Sequence, residues 1–166
     1  HLLADHIFQS EEKKMLHFDN PAITRATNSV GGAIPWAESS PARPVYHFHP
    51  PALWMNDPNG PIYYNGYYHL FYQHNPYGDR WDHMHWGHAR SRDLLTWEHL
   101  PVALWPSYEK DEVGAWSGCS VINDQGQPMI FYTSIHGHTS AREFAEQWVA
   151  YPKDDELIEW EKYSGN

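Results

Sequence analysis

The 166 residues suffice for one ordinary domain. Asp and Glu number 21 against 11 Lys and Arg, a formal charge of −10 that excludes a nucleic-acid partner, since binding phosphate backbones requires a basic surface. No apolar run approaches the ~20 residues of a membrane span, and the single cysteine, Cys119, excludes an internal disulfide or a multi-cysteine zinc centre.

Residues 1–44 read as an irregular lead-in. A short helix is expected at 10–14, where Ser10 precedes two glutamates, and the chain then drifts through Asn20-Pro21, Gly31-Gly32, Pro35 and Pro44. Leu2-Leu3-Ala4 is too short for a secretory core, so compartment stays open.

From Val45 the pattern becomes that of short strands. Two aromatic runs at 61–64 and 67–73 flank Asn65-Gly66, a dipeptide whose tolerance of positive φ marks a tight hairpin. A second hairpin is expected from 119–123 through Asp124-Gln125-Gly126 to 128–134, with further strands near 86–91, 97–100, 147–151 and 158–162. The recurrence of hairpin, strand and short Trp-bearing strand over roughly 50 residues is the logic of propeller blades, and two blades cannot close a ring of ~4–8. The fold class is therefore all-β, with domain 45–166 either an incomplete propeller or some other architecture. An open ring of this kind is expected to self-associate through its sheet edges.

Three runs carry the chemistry. The first is Trp54-Met55-Asn56-Asp57-Pro58-Asn59-Gly60, in which Asp-Pro-Asn-Gly has the composition of a turn. Pro58 also holds Asp57 extended, with an indole and an amide beside it, the groups a sugar site uses for ring faces and hydroxyls. The second run passes from Gln73-His74-Asn75-Pro76 through Trp81 to Arg92-Asp93-Leu94; the third is Ala115-Trp116-Ser117-Gly118-Cys119-Ser120. In this order the three runs resemble the N-terminal catalytic module of glycoside hydrolase family 32, the β-fructosidases that include invertases, levanases and inulinases.

That resemblance implies a five-bladed propeller of which 45–166 covers about the first two blades, and a retaining hydrolysis of β-fructofuranosidic bonds in sucrose or fructans without metal or cofactor. Asp57 matches the nucleophile. Among residues matched to substrate binding, Asn56 and Gln73 correspond to hydrogen-bonding amides, Trp54, Trp81 and Trp116 to the aromatic wall, and Met55 and Ser117 to further substrate-site positions. Two family motifs have no counterpart. Arg92-Asp93 is followed by Leu94 rather than the Pro of a transition-state-stabilising Arg-Asp-Pro, and Gly118 rather than Glu precedes Cys119, so the general acid/base is missing. The chain alone is expected to be an incompetent piece of a hydrolase. At the rim, Asp82-His83 stands where the family commonly shows Gly and a small or polar residue. Cys119 replaces its usual Ser and is expected to be buried.

Other functions fit some of the same residues. The i, i+2 pairs His47/His49, His83/His85 and His136/His138 could each offer two imidazoles on one strand face, but no acid stands at metal-site spacing beside them. A sugar-binding module without catalysis matches the aromatics and amides, and an arabinan-type furanosidase would also place an Asp in a funnel. Glu109-Lys110-Asp111-Glu112 reads as a solvated loop rather than a source of protons.

Overall fold

The computed structural model describes residues 16–137 and 144–166; the helix expected at 10–14 and His138 of the last histidine pair lie outside them. Strands β1 (Trp54–Tyr64), β2 (Tyr67–Asn75), β3 (His85–Ser91) and β4 (Glu98–Leu104) form one antiparallel sheet in chain order. β5 (Glu112–Ile122), β6 (Pro128–His136), β7 (Phe144–Pro152) and β8 (Trp160–Lys162) repeat the arrangement. Asn65 and Gly66 turn β1 into β2 at φ 47° and 83°, as the dipeptide requires. One apolar core joins the sheets: Phe71, Trp86 and Leu104 from the first meet Ala115, Ile130, Tyr132, Trp148 and Trp160 from the second.

One segment corrects the expectation of an irregular lead-in. Residues Pro21–Glu38 form an α-helix, α1. Asn20 is its N-cap, accepting from the amides of Ala22 at 2.8 Å and Ile23 at 3.4 Å, and Pro21 fits the first turn because its missing N–H would have no helical partner. The glycines and Pro35 weaken the helix, yet it persists because Ile23 and Ala26 pack on Val102 of β4 and Val30 is buried beyond them. Thr27 Oγ accepts the Val102 amide at 3.2 Å, so α1 also closes the free edge of β4.

Strands β1 and β5 are longer than the sequence suggested and both are bulged. Trp54 to Gly60 is not a turn: it runs inside β1, with register shifts between Met55 and Pro58 and between Asn59 and Ile62. Because β1 is an edge strand, Pro58 breaks no interior ladder. In β5 one shift falls between Glu112 and Gly114 and a second between Trp116 and Gly118, the latter leaving Ser117 as the extra residue. Gly118 permits this close approach, since a Cβ there would lie 2.0 Å from the Phe131 carbonyl oxygen.

Candidate active site

Asp57 sits on the first bulge of β1, exposed, and Ser117 Oγ on the β5 bulge donates to its Oδ2 at 2.8 Å. The two residues are sixty positions apart in sequence. A bulge re-aims a side chain out of the strand alternation, and here two of them turn toward each other across the seam between the sheets. Ser117 is thereby a side-chain hydrogen-bond partner of the Asp57 carboxylate.

Trp81 and Trp116 stand edge to face with ring centroids 6.0 Å apart at 79°, 57% and 38% exposed. The Trp116 indole folds back over Gly114, where a Cβ would lie 2.8 Å from Nε1. Trp54 is half-buried; its amide donates to the Gly78 carbonyl at 3.0 Å and its own carbonyl meets His74 Nδ1 at 2.8 Å. Asn56 is exposed and Met55 half-buried beside Asp57. Gln73 is buried, and its Nε2 donates to the Ala115 carbonyl at 2.9 Å, so that half of its amide serves the seam between the sheets. Sequence reasoning missed three residues beside this group: Trp86, whose Nε1 donates to the Trp116 carbonyl at 3.0 Å; Asn59, whose Oδ1 accepts the Gly118 amide at 3.3 Å; and Ser120, whose hydroxyl donates to the Gly60 carbonyl at 2.7 Å. Asn59 and Gly60 lay in plain view within the first run, but their turn-forming composition hid their role.

Two expectations fail. Cys119 is exposed, because Ser120 beside it turns toward Gly60 and strand alternation then places Cys119 on the face of β5 that the first sheet does not cover. Glu112 is not solvated but fully buried. Its carboxylate accepts the Ser107 amide at 2.6 Å and pairs with Lys162, whose ammonium also reaches the Ser107 hydroxyl at 2.9 Å and the Trp105 carbonyl. Burial pushes the Lys162 ammonium down to about 8 against the opposing pull of Glu112. That carboxylate is committed to structure. Asp93 likewise closes a turn, accepting from the amides of Leu95 at 2.8 Å and Thr96 at 2.7 Å.

The histidines face inward more than outward. His69 and His88 approach at 3.0 Å, with His88 stacked on Phe71, while His85 is buried against the His83 carbonyl. Among the described residues no three histidine, cysteine or acidic side chains converge as a metal site would need. Two clefts, of about 400 Å³ between α1 and β8 and about 430 Å³ beside the 124–127 turn, lie away from Asp57, which stands on an open wall.

Residues 47–166 match the model of the glycosyl hydrolases family 32 N-terminal domain. The levanase of Bacillus subtilis is 50% identical over 130 residues, covering 75% of this chain and 18% of that protein. The acid β-fructofuranosidase of Vicia faba is 45% identical over 142 residues, covering 82% and 21%. Among solved structures, a mutant of the Bombyx mori GH32 β-fructofuranosidase BmSUC1 in complex with sucrose superposes with a TM-score of 0.75 at 36% identity, over 90% of this chain and 31% of that one. The chain spans about a fifth of the length of the curated relatives it matches. Its two sheets are the N-terminal part of the propeller those structures share.

Proposed function

The chain belongs to glycoside hydrolase family 32, and on that premise we propose that it serves the cleavage of β-fructofuranosidic bonds with retention, Asp57 acting as nucleophile. The observation that carries this reading is the pairing of two bulges that presents the Asp57 carboxylate, held by the Ser117 hydroxyl, at the exposed seam of the sheets. Attack of Asp57 on the anomeric carbon forms a carboxylate ester as the bond to the leaving oxygen breaks, and water later hydrolyses that ester. Trp81 and Trp116 offer apolar faces to the ring, and the exposed Asn56 amide faces solvent where hydroxyls would arrive. Gln73 has its Nε2 engaged at Ala115, which leaves its carbonyl oxygen for a sugar hydroxyl. The names of the relatives and the sucrose held by the Bombyx mori mutant support sucrose or a fructan as the substrate class.

The leaving oxygen also needs a proton, supplied in retaining enzymes by a second carboxyl group roughly 5 Å from the nucleophile. The Glu-Cys motif that would supply it has no match in the sequence, and Glu112 is sequestered by Lys162. A substrate whose leaving group needs no proton isolates the nucleophile. With β-fructosyl fluoride, Asp57 attacks C2, the C–F bond breaks and fluoride departs with the electron pair. The expected result is one fructosyl unit attached to the peptide containing Asp57 and none in an Asp57→Asn variant. Sugar binding without any adduct would favour a carbohydrate-binding module instead.

A further inference from the structure

β5 is the edge strand of its sheet, and its outward backbone groups would be unpaired if the first sheet did not take them up. They are taken up one after another. The Ala115 amide donates to the Met84 carbonyl at 2.9 Å, the Ala115 carbonyl accepts from Gln73, and the Trp116 carbonyl accepts from Trp86. Beyond the bulge, the Gly118 amide donates to Asn59 Oδ1 and the Ser120 hydroxyl to the Gly60 carbonyl.

Only the last two fastenings reach β1, the strand that carries Asp57. Asn59 lies two residues after Asp57, and Gly118 lies one residue after Ser117. The Asn59–Gly118 bond therefore spans the seam immediately beside the Ser117–Asp57 bond. Asn59 is 2% exposed and its Nδ2 has no hydrogen-bond partner among the described residues, a buried donor left at a cost. Packing alone would not favour such a side chain there; its Oδ1 contact with Gly118 is what it contributes. Gly60 is equally constrained, at φ 47°, with room for no more than the close Ser120 contact: a Cβ would sit 3.2 Å from the Ser120 nitrogen.

We infer that Asn59, with Ser120 as a second fastening, is a positioning residue that fixes the register between the β1 and β5 bulges and so holds the Ser117 hydroxyl on Asp57. The geometric part is independent of what Asp57 does; the kinetic part rests on the nucleophile assignment above.

The test reads the Asp57 carboxyl carbon resonance by NMR in the 166-residue chain. Ser117→Ala shifts that resonance by removing the donor. Asn59→Ala shifts it in the same direction, and the Ser117→Ala/Asn59→Ala double variant shifts it no further than Ser117→Ala, because both act through one bond. If Asn59→Ala loses its far-UV dichroism, Ser120→Ala carries the test with a smaller shift of the same sign. A resonance unmoved in Asn59→Ala and Ser120→Ala, or unmoved in Ser117→Ala, overturns the inference. With β-fructosyl fluoride, the limiting rate of Asp57 labelling falls about ten- to a hundredfold in Asn59→Ala at an unchanged half-saturating concentration, the signature of a misplaced nucleophile. Wild-type protein that gives the NMR pattern but is never labelled removes the nucleophile assignment and leaves the clasp standing.

Discussion

Lowering the pH from 7 to 5 is expected to destabilise the fold through its buried histidines. His74 is held at about 4, and His85 and His99 at about 3, chiefly because burial penalises the charged ring. Charged neighbours add to this: Arg43 beside His99 and Lys162 beside His85. His69, at about 4, and His88, well below its ordinary value, are also lowered chiefly by burial and face each other at 3.0 Å, so the three rings named set a lower bound. Each of these rings stays neutral in the folded protein where the unfolded chain, with an ordinary value near 6.5, takes up a proton. Their contribution is complete above about pH 6.5, is lost as pH falls below it, and levels off near the folded values of about 4 and 3. At pH 5 each ring costs about 2 kcal/mol, so the three together cost about 6 kcal/mol against a typical domain stability of ~5–15 kcal/mol. For a chain of this size that corresponds to a fall in Tm of roughly 15–20 °C. Urea unfolding at closely spaced pH values measures it directly as proton uptake of about three or more per molecule between pH 6 and 5. A His99→Phe variant should take up one proton fewer. Stability that is flat from pH 7 to 5 would refute the burial of these rings as neutral groups.

Other perturbations follow from the same contacts. Glu112→Ala strands the Lys162 ammonium in the core and should cost about 3–5 kcal/mol in urea unfolding, while Glu112→Leu combined with Lys162→Met should recover most of it; a single-variant loss below about 1 kcal/mol would contradict the pair. Gly87→Ala places a Cβ 2.2 Å from the Tyr72 ring and is expected to destabilise by about 3 kcal/mol or more, read as a fall in Tm. Gly114→Ala should displace the Trp116 indole, changing near-UV dichroism and weakening sugar binding while the melting cooperativity is kept. Val121, Phe131 and Cys119 leave an apolar patch on the outer face of the second sheet, so the chain is expected to self-associate in sedimentation velocity, less so as Phe131→Ser.

The hairpins were legible because their signal is local: Asn65 and Gly66 adopt positive φ whatever surrounds them. The residues around Asp57 were legible because three separated runs fall in a family order. What stayed hidden depends on contacts between distant segments. Asn20-Pro21 is a helix start, but Gly31-Gly32 and Pro35 argue locally against a helix, and only the packing of Ile23 and Ala26 on Val102 of β4 decides for one. Asp-Pro-Asn-Gly has turn composition, yet β2 pairs with it and draws it into a bulged strand. The burial of Glu112 required Lys162, fifty residues away, and the exposure of Cys119 followed from Ser120 turning to Gly60.

Two fructosyl donors that differ in their need for a proton test the central claim most directly. The chain is incubated with β-fructosyl fluoride and, separately, with sucrose, and its intact mass and its Asp57 peptide are followed. A general acid/base contributes about 10²–10⁴-fold, and the same group activates the water that would release the ester. A persistent fructosyl ester on Asp57 is therefore expected from the fluoride, with no appreciable turnover of sucrose. Rapid hydrolysis of sucrose by this chain, or fructosylation at any residue other than Asp57, would contradict the claim.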